Sequence, residues 1–179
     1  MCGKMKLLFF TSIFLITIIL SGCSKKTDEQ YLNEAKTSVE NKNIDKAVSA
    51  YQDLVKEYPN SPKAPEAIFQ LATLYQNKMV KDIPANQSLQ KAISLFRSVF
   101  DKYPKSKLAP KALFMSGFIL ANDLKSYNQA TASFSLFLQK FPNNELASSA
   151  REELENMGLT PEEILQKKKN VKADVSNVH

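Results

Sequence analysis

After residue 23 the 179-residue chain has no cysteine. It has no tryptophan at all, four glycines, and a single histidine, His179, at the last position. A body without paired cysteines carries neither a disulfide framework nor a thiolate metal cluster. One terminal histidine supplies no Cys–His or Ser–His–Asp arrangement, and neither Gly117 nor Gly158 belongs to a glycine pattern that cradles phosphate. The adjacent pairs Glu152-Glu153 and Glu162-Glu163 would project from different faces of a helix, so they read as solvated charges and not as an acid–base pair. No oxygen-ligand spacing resembles a calcium loop. The sequence therefore predicts no catalytic residue, no metal site, no cofactor and no small-molecule substrate. Charge of one sign is also modest: 24 Lys plus Arg stand against 18 Asp plus Glu, a formal net charge of +6. Nucleic-acid binders usually concentrate Lys and Arg on one face, and an excess this mild does not point to one.

What is present begins with an address. Lys4 and Lys6 precede an apolar run from Leu7 to Leu20, which ends in the small residues Ser21 and Gly22 before Cys23. At 14 residues the run is shorter than the roughly 20 that a spanning helix needs, and it predicts a cleaved export signal over 1–22. Met5-Lys6-Leu7 makes a more usual start for such a signal than Met1. Leu20-Ser21-Gly22-Cys23 resembles the lipobox of bacterial lipoproteins. That resemblance implies a diacylglycerol on the Cys23 thiol, with Cys23 becoming the new, acylated N-terminus; the other reading is an ordinary signal with an incidental cysteine. Ser24 resembles the residue of outer-membrane sorting, since the retention signal for the inner membrane places Asp there. Removing Lys4 and Lys6 leaves 22 basic against 18 acidic residues, a net charge of about +4. Residues 23–30 then read as the lipidated cysteine and a polar tether.

The rest of the chain repeats itself. Ile44, Ala47, Val48, Tyr51, Leu54, Val55 and Tyr58 line one face of a helix. Adding 45 to each number gives Leu89, Ala92, Ile93, Phe96, Val99, Phe100 and Tyr103, and adding 83 gives Tyr127, Ala130, Thr131, Phe134, Phe137, Leu138 and Phe141. Only Thr131 breaks the apolar pattern, so the register is well fixed. Pro59, Pro104 and Pro142 follow the last aromatic of each set and stop the helix there. Two residues on, Ser61, Ser106 and Asn144 are expected as N-caps of a second helix. Small residues then recur at Ala64 and Ala67, Ala109 and Ala112, and Ala147 and Ala150, where a neighbouring helix can approach. A single hairpin of this kind cannot bury its stripe, so about three must stack.

These residues resemble the tetratricopeptide repeat (TPR), with small residues at Ala35, Ala72 and Gly117 in the first helix of each pair. The second helix supplies Ala47, Ala92 and Ala130, each followed four residues later by Tyr51, Phe96 or Phe134. The fold implied is all-α: a right-handed superhelix of about three TPR hairpins over 31–157 with a capping helix, then a short helix and basic mobile tail over 158–179. Ala72 to Ala92 is eight residues longer than Ala35 to Ala47, which predicts a protruding loop around Lys81–Asn86. Arg151–Glu155 predicts the polar face of the cap. Thr160-Pro161-Glu162-Glu163 announces the last helix, with Lys167, Lys168 and Lys169 expected at its end; a weaker reading gives this run to anionic lipid or peptidoglycan. The Tyr58-Pro59-Asn60-Ser61 and Tyr103-Pro104-Lys105-Ser106 corners resemble two envelope families, the BamD-like outer-membrane assembly lipoproteins and the TPR domain of the Tol-Pal coordinator. The resemblance implies a lipid-anchored, non-enzymatic scaffold on the periplasmic face of the outer membrane, binding envelope proteins or peptides; a cell-wall synthesis coordinator or an enzyme accessory is the alternative. Carrying the family's groove positions onto this chain selects Leu32, Lys36 and Val39, then Phe69, Thr73 and Gln76, then Phe114, Phe118 and Asn122. A second reading places Phe69, Phe114 and Phe118 in the interhelical core.

Overall fold

Each predicted apolar stripe forms a helix, and each helix pairs with the one before it. In the computed structural model, which describes residues 25–176, the order is α1 Asp28–Glu40, α2 Ile44–Glu57, α3 Ala64–Gln76, α4 Ala85–Lys102, α5 Ala109–Phe118, α6 Tyr127–Lys140, α7 Ala147–Asn156 and α8 Pro161–Ser176. The signal segment 1–22, Cys23 and His179 lie outside the described residues. Helices α1 and α2, α3 and α4, and α5 and α6 are the three hairpins of an all-α superhelix, α7 caps it, and no strand occurs among the described residues. No described helix is long and apolar enough to cross a membrane.

The repeat pattern maps directly onto burial. Ala47, Ala92 and Ala130 are fully buried, Tyr51, Phe96 and Phe134 almost or wholly so, and Leu54, Val99 and Phe137 fully so. Tyr58, Tyr103 and Phe141 end their helices with φ of −132°, −128° and −133°, the extended geometry that the following proline imposes. The small residues of the first helices do what close approach requires. A Cβ built on Gly117 would meet the Phe134 ring at 3.1 Å, tighter than an ordinary contact, so the bare glycine lets this helix lie against the aromatic of its partner without displacing the ring.

Two local expectations are corrected. Ser61, Ser106 and Asn144 are not N-caps: the caps are Lys63, Leu108 and Leu146, and none of these makes a side-chain cap bond. The Ser and Asn oxygens instead accept the N–H two residues on, at 3.0 Å from Lys63, 3.2 Å from Leu108 and 3.0 Å from Leu146. This closes the corner before the helix begins, a turn that Ser and Asn favour for the same reason they favour caps. The eight extra residues of the second unit are likewise not all loop, because α4 has 18 residues against 14 in α2 and starts at Ala85.

At the C-terminal end, α5 runs on into a π-helical turn, Ile119–Asp123. Thr160 and Glu163 close the expected capping box, the Glu163 N–H reaching Thr160 Oγ1 at 3.3 Å and the Thr160 N–H reaching Glu163 Oε2 at 2.7 Å. Lys167–Lys169 do not end this helix, which continues to Ser176. Lys167 reaches back instead to the Glu155 carbonyl at 3.1 Å, placing its charge at the negative end of α7. At the other end α1 begins at Asp28, inside the stretch read as tether, with Thr27 completing a capping box with Gln30.

Candidate binding groove

The first helices of the three hairpins and the cap lie side by side as α1, α3, α5 and α7, and the residues selected from sequence sit along them at one-turn spacing. Leu32 is buried, Lys36 exposed and Val39 half-buried. Phe69 is 9% exposed and meets Phe96 edge-on at 5.0 Å; Phe114 has the same exposure and lies 5.4 Å from Phe134 and 5.9 Å from Phe137. Most of both rings therefore goes into interhelical packing. Phe118 is half-buried and stacks on Phe114 at 6.3 Å. Thr73 spends its hydroxyl on the Phe69 carbonyl of its own helix, 3.0 Å away, while Gln76 is half-buried and Asn122 exposed. The part of the selected set left open to a partner is thus Lys36, Val39, Thr73, Gln76, Phe118 and Asn122.

Polar cross-links join the four helices beside these residues. Lys36 Nζ is 2.8 Å from Glu66 Oε1, bridging α1 to α3; Lys111 Nζ lies 5.6 Å from the centroid of the Phe69 ring, bridging α5 to α3; and Asn122 Nδ2 donates to Glu153 Oε2 at 3.1 Å, bridging α5 to α7. Glu66, Lys111 and Glu153 were not selected from sequence. Glu66 and Lys111 occupy equivalent positions, two residues into their helices, and that 45-residue offset was the signal that would have found them. Where α5, α7 and the start of α8 converge, Asn122, Tyr127, Glu153 and Ile164 help line a cavity of about 370 Å³. No group of three or more His, Cys, Asp or Glu able to hold a metal occurs among the described residues.

A second cluster holds the beginning of the chain to the first corner. Lys25 pairs with Glu57 at 2.6 Å, Lys26 with Glu34 at 2.6 Å, and the Tyr58 hydroxyl donates to the Lys26 carbonyl at 2.7 Å. The Lys25 hydrogen bond holds the Glu57 carboxyl below the usual carboxylate range, and the Lys26 hydrogen bond does the same for Glu34. The same bonds raise both lysines.

A family model described as YfiO, outer membrane lipoprotein, matches residues 24–160. The chain belongs to this family. No curated protein matches it. The YfiO match runs from the residue after Cys23 to the cap of α8, so it takes in every helix of the repeat array, its groove and the clasp at Tyr58. Of the two resemblances carried by the Tyr-Pro-x-Ser corners, it is the outer-membrane lipoprotein family that is matched.

Proposed function

We propose that the chain is a non-enzymatic scaffold, held by lipid on Cys23 to the periplasmic face of the outer membrane, whose groove binds helical or extended segments of envelope proteins during BamD-like outer-membrane protein assembly. The observation that carries this reading is the outer membrane lipoprotein match over the whole array. The groove supports it with open side chains of mixed character on the first helices of all three hairpins. Such surfaces bind peptides through a few anchor residues. Thr73 and Phe118 stand where a chaperone-type clamp would need Asn and Lys for a terminal carboxylate, so that ligand is not part of the proposal.

Lipidation is tested at its own residue. Each buried methylene is worth about 0.8 kcal/mol, so two or three acyl chains hold a chain of this size firmly at the bilayer. Cys23→Ser is expected to leave an uncleaved precursor that takes up no labelled fatty acid, whereas equal incorporation by variant and parent would refute the anchor. The assembly role is tested by crosslinking in the native cell followed by identification of what is bound. Recovery of barrel-assembly components is the expected result; recovery of a cell-wall synthase or Tol-Pal components in their place would move the protein to the alternative role.

A further inference from the structure

The corners between hairpins lie along one edge of the superhelix, and that edge has chemistry the groove does not use. Tyrosine hydroxyls stitch it together: Tyr58 donates to the Lys26 carbonyl and Tyr103 to the Pro59 carbonyl, each at 2.7 Å, so each corner is tied to the segment one unit earlier. Phe100 and Phe141 continue the line toward the third corner, edge-on at 6.0 Å. Between the first two corners opens a cleft of about 770 Å³. Pro62, Pro65 and Tyr103 give it an apolar floor, and Lys102, Lys105 and Lys107 stand around it.

Those three lysines are exposed and form no ion pair with another described residue, and the same holds for Lys140 beside the next corner. Asp28 accepts a hydrogen bond from Ser61, which lines the cleft, and lies 3.7 Å from Lys63, while Asp101 faces Arg97 at 3.9 Å. Around the first corner the charges are already matched, Lys63 for example lying 3.0 Å from Glu29. The surplus of positive charge therefore sits at the second and third corners.

Chain length says what this edge faces. Cys23 is two residues before Lys25, which the Glu57 carboxylate and the Tyr58 ring hold at the first corner. Two residues span at most about 7 Å, so a lipid on Cys23 brings this edge to the headgroup layer. The opposite edge, at the far ends of helices of 14 residues, lies about 20 Å further off, more than two Debye lengths at physiological salt.

We propose that the corner edge is a docking face for an anionic phospholipid bilayer, with the cleft between Pro62 and Tyr103 receiving a headgroup and Lys102, Lys105, Lys107 and Lys140 meeting the surface charge. The array then lies along the membrane edge-on and keeps its groove turned to the periplasm instead of swinging on its anchor. This orientation rests on lipidation of Cys23, but the face itself is testable without it.

The chain from Ser24 onward, which contains every described helix, is mixed with vesicles of phosphatidylcholine alone or with about a third phosphatidylglycerol, and sedimented. Each lysine near an anionic surface is worth about a fivefold gain in partitioning. Binding is expected only to the anionic vesicles, with a loss of about a hundredfold in the triple variant Lys102→Gln, Lys105→Gln, Lys107→Gln. A charge-matched triple on the opposite edge, Lys42→Gln, Lys78→Gln, Lys125→Gln, is expected to change binding less than about threefold. Circular dichroism verifies that both variants keep their helices. Equal losses in the two triples, or no binding to anionic vesicles, would overturn the docking face. Because the protein tested carries no lipid, that failure stays distinct from a failure of Cys23 to incorporate fatty acid.

Discussion

Truncating Phe96 to Ala is expected to lower the thermal midpoint of this protein by about 6 to 20 °C. Phe96 is fully buried in α4, packs edge-on against Phe69 of α3 at 5.0 Å, and belongs to the cluster that also holds Tyr51, Leu54, Ala72 and Ala92. Removing such a ring forfeits its transfer energy and leaves a cavity that rigid helices cannot close, at a cost of about 3 to 5 kcal/mol. Whole domains are stable by only about 5 to 15 kcal/mol, so one substitution takes a large share. Each kcal/mol moves the midpoint of a domain of this size by about 2 to 4 °C. Lys91, exposed on the same helix, provides the control. A Phe96→Ala midpoint no lower than that of Lys91→Ala would show that the repeat register is wrong.

The register itself was legible because three independent copies of it are present in one chain. Ala47, Ala92 and Ala130, and the aromatics four residues after them, fall at the same burial in all three hairpins, and each proline marks the same helix end. A 3.6-residue period repeated at offsets of 45 and 83 leaves few other ways to bury the stripe. The corners were less legible, since Ser61 and Ser106 can satisfy a helix-start amide or a turn amide with the same hydroxyl, and only the backbone path decides between them. The π-turn at Ile119–Asp123 has no sequence signal of its own.

Within the groove, sequence picked out positions but not depth. Phe69 and Phe118 read alike as aromatics on a first helix, yet Phe69 lies under Lys111 and against Phe96 while Phe118 stays half-buried. The clasp at Tyr58 was also hidden, because its bond goes to the backbone oxygen of Lys26, and any residue there would offer the same acceptor.

That difference in depth sets the second large effect. Phe118→Ser is expected to leave a folded protein with partner affinity reduced about thirtyfold or more, since truncating an anchor residue of an interface costs about 2 kcal/mol and upward. Phe69→Ser is expected to act chiefly on stability, at about 3 kcal/mol or more, because it opens a cavity against Phe96 and buries a hydroxyl in the space. Helical circular dichroism and partner binding, measured on both variants, separate the two. Loss of helical signal in Phe118→Ser would return that ring to the core and remove it from the groove.

The central claim, that the face formed by α1, α3, α5 and α7 is where this lipoprotein holds its partner, is tested most directly by photocrosslinking in the native cell. A photoreactive residue at Gln76 or Phe118 is predicted to trap an envelope protein, and the same probe at Lys91 or Gln139, exposed on the second helices of the hairpins, is predicted to trap none. Capture from Lys91 and Gln139 with none from Gln76 and Phe118 would contradict the account.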